Sequence, residues 1–142
     1  PGDLYAVDPS GQGDVTQSHL KWHARRNGGR DLPSPAMINS LVMVTSMSGV
    51  ITCYDAKNGK TYWVDRLEGA FSGSPFVSDN YYYIQSESGT TYVIKPNKHR
   101  LEVISKNQLS NNLEEIFRAT LSPIDGKIFT RSNNQLYCIV KR

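Results

Sequence analysis

Two thiols, three imidazoles, two indoles and one cluster of arginines are the residues of this 142-residue chain whose types suit chemistry. Cys53 and Cys138 could close a disulfide, which needs α-carbons within about 7 Å of each other, or hold a soft metal. His19, His23 and His99 are scattered, and none is read as having a partner at ligand spacing, so no metal site is expected. A serine nucleophile would want a Gly-x-Ser-x-Gly elbow, and the sequence contains none. The run from His23 to Arg30 sets Arg25, Arg26 and Arg30 in one loop. Guanidinium groups grip carboxylates and phosphates in a two-pronged fork. This loop is therefore the candidate contact for an anion or an acidic partner, against the plainer reading of a solvated basic loop. Tyr81-Tyr82-Tyr83 offers rings on which a sugar could stack. Inside a strand, alternate rings face opposite sides, which suits packing between sheets better.

Composition narrows the field. Sixteen Lys plus Arg against thirteen Asp plus Glu leave a formal charge of +3. That bias is too small to imply nucleic acid, and no basic run is interleaved with aromatics. The longest apolar stretches, Leu41 to Val44 and Tyr81 to Ile84, are far too short for a membrane-crossing helix. No signal peptide is present to report a compartment.

The elements that must position these residues are visible because the chain repeats itself. Ser34-Pro35 leads to Gly49 and then Ile51-Thr52-Cys53-Tyr54-Asp55; Ser74-Pro75 leads to Gly89 and then Thr91-Tyr92-Val93-Ile94-Lys95. Ser122-Pro123 is read as restarting the frame two residues shorter, ending on Leu136-Tyr137-Cys138-Ile139-Val140, and Leu4-Tyr5-Ala6-Val7-Asp8 is the same unit entered halfway. A period near 40 residues with four short β-like segments per unit predicts β-propeller blades, each needing neighbours to bury both its faces. Asn58-Gly59, Asp79-Asn80 and Asp125-Gly126 stand between β-branched or aromatic runs and read as hairpin turns. The apolar runs are nearly continuous, as expected of a sheet covered on both faces. No stretch carries helical periodicity.

The expected fold is thus all-β: four-stranded antiparallel blades, about three to three and a half of an incomplete seven- or eight-bladed propeller. The units run 1–33 (second half of a blade), 34–73, 74–121, and 122–142 (a last blade lacking its outer strand). Two, four, four and three strands make thirteen in all. A propeller normally closes by lending an N-terminal strand to its last blade, which removes an exposed edge. The chain is therefore expected to be a C-terminal piece of a longer propeller. Cys53 and Cys138 fall at one place in the repeat, two blades apart, so both are expected to be buried small hydrophobes rather than a disulfide.

Asp55-x3-Gly59-Lys60-x2-Trp63 resembles the tryptophan-docking motif of the pyrroloquinoline-quinone-like (PQQ-like) propeller repeat, a relative of the WD40 and YVTN types. Asp8, Gly11 and Trp22 are similar, with about six extra residues before the tryptophan. In the next unit Lys95 stands in the aspartate position and Val103 is read in that of the tryptophan. Gly13-Asp14-Val15-Thr16, Phe71-x-x-Ser74-Pro75 and the Gly89 to Pro96 run resemble secreted propeller proteins of planctomycete-type bacteria.

The resemblance implies that the indoles wedge between blades. It also implies a non-catalytic binding scaffold, secreted or periplasmic, as in propeller lipoproteins of outer-membrane protein assembly. Its partners would be the remaining blades and a protein or glycan ligand, with self-association of the isolated chain, and no cofactor is expected. The alternative is part of a quinoprotein-dehydrogenase-type enzyme whose active site lies on blades outside this chain. In such enzymes the quinone packs beneath a vicinal cysteine pair, and these 142 residues contain no such pair.

Overall fold

The computed structural model describes residues 2–26 and 31–140 and shows strands, turns and loops, with no helix among the described residues. Four antiparallel sheets follow one another along the chain, each completed before the next begins. The first pairs β1 (Leu4–Val7) with β2 (Leu20–Ala24). The second is β3 (Ala36–Ile38), β4 (Leu41–Thr45), β5 (Val50–Asp55) and β6 (Thr61–Arg66), and the third is β7 (Phe76–Ser78), β8 (Tyr81–Gln85), β9 (Thr90–Ile94) and β10 (Val103–Gln108). The fourth is β11 (Ser122–Ile124), β12 (Lys127–Arg131) and β13 (Leu136–Val140). This is the meander of propeller blades, with connections short enough to keep sequential strands adjacent.

Local chemistry explains the turns. Asp79-Asn80 and Asp125-Gly126 each place two successive residues at positive φ, the backbone that matches the twist of a two-residue hairpin. Gly49, at φ 84°, admits no side chain: a Cβ there would lie 2.3 Å from the Leu67 carbonyl oxygen, where the outer strand leaves the sheet. Packing then explains the burial patterns. β4 and β5 are buried on both faces, whereas β1 and β13 alternate strictly, because only one face of each meets a neighbouring sheet. The core lies between the second and third sheets, where Met43, Ile51 and Cys53 meet Tyr82, Ile84 and Ile94, flanked by Phe71 and Tyr92.

Strand register revises the repeat frame in two places. Ala36, Phe76 and Ser122 occupy the same first-strand position, opposite Met43, Tyr83 and Phe129. Pro35 and Pro75 therefore correspond to Leu121, and Pro123 sits inside β11 opposite Ile128. The last unit is shortened by one residue, in the turn between β12 and β13. The hydroxyls agree: the Ser34 amide donates to Ser74 Oγ at 3.0 Å, and the Ser74 amide to Thr120 Oγ1 at 3.1 Å.

The second revision concerns the outer strands. Trp22 faces Ala6, Trp63 faces Cys53, and the residue facing Val93 is Ser105. Ser105, not Val103, holds the tryptophan position of the third sheet, because the hairpin from Lys95 is two residues longer than that from Asp55. Each outer strand carries a bulge just before this position. A bulge sets two residues against one and re-aims the side chain that follows.

Candidate functional site

Trp22 and Trp63 reach across the seams between sheets. Trp22 Nε1 donates to the Ala56 carbonyl at 2.9 Å, and Trp63 Nε1 donates to the Asn97 carbonyl at 2.9 Å. Each indole thus reaches the outer hairpin of the following sheet. Gly59, at φ 72°, is where the Trp22 ring lands: a Cβ would fall 2.5 Å from Trp22 Cε3. Gly11 lies against Val15 and His19 within its own longer hairpin.

Asp55 shapes the receiving hairpin. Its carboxylate accepts from Tyr62 Oη at 2.5 Å and from the Lys57 amide at 2.8 Å, and these bonds hold its pKa below the usual carboxylate range. Asp8 is held low in the same way, chiefly by Lys21 at 2.6 Å and then by the Ser10 amide. Lys60 contributes its backbone: its amide donates to Asn58 Oδ1 at 2.9 Å and its carbonyl accepts from the Asp55 amide at 2.8 Å.

Of the three loop arginines, Arg25 is exposed, Arg26 is half-buried and Arg30 lies outside the described residues. Arg26 pairs with Asp31, and its amide donates to Asp3 Oδ1 at 3.2 Å. Asp3 also bonds His23 Nε2 at 2.8 Å, which holds its pKa low, and Tyr5 stacks on that imidazole at 4.6 Å. The sequence reading missed Arg66. It shares with Arg25 and Arg26 a cleft of about 440 Å³ between the first and second sheets. The signal was present: Arg25 and Arg66 each stand three residues beyond a docking tryptophan.

Polar groups buried in the other seams bond to one another. Thr45 Oγ1 and Tyr82 Oη lie 2.8 Å apart between the second and third sheets, and Thr130 Oγ1 donates to Gln85 Oε1 at 2.8 Å between the third and fourth. Glu115, also missed, is buried in the loop before β11. It accepts from Ser132 Oγ at 2.7 Å and Tyr137 Oη at 2.8 Å, and hydroxyl donation from Ser110, Ser132 and Tyr137 keeps its pKa low. These bonds tie sheets and loops together.

Both thiols are free. Cys53 is buried beside the Asn97 carbonyl, and burial pushes its thiol up to about 11. Cys138 is exposed, contrary to the sequence expectation. It faces the side of β13 that no described sheet covers, so an equal place in the repeat does not give equal burial. Tyr81 to Tyr83 divide between faces: Tyr82 is buried in the core, while Tyr83 stacks on Phe76 at 4.5 Å. Among the described residues, no group of three or more His, Cys, Asp or Glu side chains comes together as a metal cage.

Comparison with solved structures places this arrangement. BamB from Moraxella catarrhalis superposes with a TM-score of 0.73 over 97% of this chain and 40% of that one, at 18% identity. The quinohemoprotein alcohol dehydrogenase ADHIIG from Pseudomonas putida HK5 gives 0.64 over 80% of this chain and 18% of that one, at 13% identity. A europium-containing methanol dehydrogenase gives 0.53 over 73% and 21%, at 17% identity. At these identities the likeness shows the fold, and the chain spans less than half of each of these proteins. No curated protein sequence matches the chain. A family model described as outer membrane protein assembly factor BamB matches residues 1–100. By that match the chain belongs to the BamB family of PQQ-like propellers.

Proposed function

We propose that the chain is part of a longer secreted or periplasmic propeller that works as a non-catalytic binding scaffold, with blades divided at about residues 33, 73 and 121. In this reading Asp8, Gly11, Trp22, Asp55, Gly59, Lys60 and Trp63 form the docking motif that fixes each blade on the next. Arg25, Arg26 and Arg30 belong to a partner-facing loop, and the partner is a protein or a glycan. One observation carries the reading: in the seams after the second and third sheets, buried polar side chains, Thr45 with Tyr82, Gln85 with Thr130 and Glu115 with Ser132 and Tyr137, are spent on bonds between blades and loops. A packed interior of that kind makes a rigid frame and leaves recognition to hairpins and seams, where binding residues on such frames usually stand.

Calorimetric titration of the chain and of its longer parent with pyrroloquinoline quinone and calcium together tests this reading. No binding is expected. A dissociation constant in the low micromolar range would overturn it in favour of a quinoprotein-dehydrogenase-type enzyme.

A further inference from the structure

The seams between sheets one and two and between sheets two and three carry corresponding grooves of similar size, about 440 and 400 Å³, with different charge. In the second seam the groove contains its own carboxylate. Glu68 Oε2 meets Lys106 Nζ at 3.1 Å, and Tyr92 Oη donates to the Glu68 carbonyl at 2.9 Å. Register places Thr52 where Tyr92 stands, Val64 where Lys106 stands and Arg66 where Gln108 stands. In sequence, Glu68 is five residues past Trp63, and five past Trp22 is Asn27, which lies outside the described residues.

The first seam therefore gathers three guanidinium groups, and its acids, Asp31 and Asp3, form no ion pair with two of them. Arg26 is paired with Asp31, whereas neither Arg25 nor Arg66 has a carboxylate partner among the described residues. Arg66 is already aimed, since its guanidinium donates to the Ser48 carbonyl at 2.7 Å. Thr52 and Tyr54 line the same cleft, 6% and 3% exposed, and neither hydroxyl has a hydrogen-bond partner among the described residues. Both side chains are largely buried, but their hydroxyl oxygens are not enclosed, so they stand free in the cleft beside the two guanidiniums to bond an acceptor that enters it.

We propose that this cleft binds a carboxylate of an acidic peptide segment, gripped by Arg25 and Arg66 and receiving hydrogen bonds from Thr52 and Tyr54. The second seam supplies the reason for a carboxylate rather than another anion, since the cation there is matched by Glu68. The proposal rests on the scaffold reading, and it names the chemistry of the segment that the scaffold would hold.

The test is fluorescence-anisotropy titration of the full chain with a labelled hexaglutamate peptide at low salt, with inorganic phosphate as competitor. Saturable binding is expected, weakened roughly tenfold or more by Arg66→Gln and by Arg25→Gln, as for loss of a charge-assisted hydrogen bond. Tyr54→Phe, which keeps the ring, should weaken it several-fold. Binding that is absent in chain shown by circular dichroism to be folded overturns the proposal, as does binding unchanged in both arginine variants. Phosphate competing as well as free glutamate at equal concentration also overturns it, by assigning the cleft to phosphate. Absence of peptide binding together with absence of quinone binding sinks the cleft alone. Quinone binding would remove the scaffold reading whatever the peptide does.

Discussion

Trp63 combines two contributions that a substitution can separate. Its half-buried indole packs against the core between the second and third sheets, and its Nε1 satisfies the Asn97 carbonyl of the next hairpin. Truncating a large aromatic usually costs about 3–5 kcal/mol, whereas one neutral hydrogen bond contributes about 1 kcal/mol net. Because Trp63 is only partly buried, Trp63→Ala should lie near the low end, about 3 kcal/mol. Trp63→Phe, which keeps most of the ring contact, should cost about 1 kcal/mol more than a neutral surface change. Urea titration of the variants reads both, and an alanine cost under about 1 kcal/mol would remove Trp63 as an inter-blade anchor. Gly59 is the complementary half of the same device, since any Cβ there meets Trp22.

At the scale of elements, the connection from β10 to β11 is the longest between sheets among the described residues, and Glu115 holds it. A carboxylate that receives several hydroxyl bonds is favoured in its charged form. Its pKa in the fold lies below the ordinary value of 4.5, so the unfolded chain takes up the proton first as pH falls. The stabilisation is therefore fully present above about pH 4.5 and is lost as pH drops through the lower folded value. Glu115→Gln should lower the urea midpoint at neutral pH, and the gap from wild type should narrow steadily between pH 5 and pH 3. A gap independent of pH would show that Glu115 matters for shape rather than charge. The outer strand of the third sheet makes a related point. Ser105 stands where the other outer strands carry tryptophan, and among the described residues no hairpin follows β13 to receive a wedge.

For the whole molecule, the two terminal sheets decide behaviour in solution. The first sheet leaves Tyr5 58% exposed with Val7 and Leu20 beside it, and the fourth leaves Leu136 75% exposed alongside Cys138 and Val140. β1 and β13 also have edges with no partner strand among the described residues. Apolar faces beside open edges template association. The isolated chain should self-associate at tens of micromolar in light scattering across a concentration series, and Leu136→Lys with Val140→Lys should shift it toward monomer. A stable monomer over that range, with the lysine variants unchanged, would refute an open arc.

The amino-acid sequence by itself determined the number, order and rough limits of the strands. The hairpin turns that delimit them rest on single residues such as Asp79, Asn80 and Gly126, and two-sided cover follows the continuous apolar runs in β4 and β5 but not in β1 and β13. Resemblance to a repeat motif also grouped Asp55, Gly59 and Trp63, and separately Asp8, Gly11 and Trp22, whereas the landing of Trp22 on Gly59 of the other copy is tertiary. Tertiary structure alone decided the pairing of equivalent positions. A two-residue longer hairpin moved the tryptophan position from Val103 to Ser105, and the residues that match Ser34-Pro35 and Ser74-Pro75 proved to be Thr120-Leu121 rather than Ser122-Pro123. Hydrogen-bond register absorbs insertions and bulges that spacing in the sequence cannot locate. Burial was likewise a property of neighbours rather than of the repeat, so Cys53 is enclosed and Cys138 is not. The meeting of Arg25 with Arg66 across a seam depends on how two sheets stack, since side chains far apart in sequence are brought together only when both faces are built.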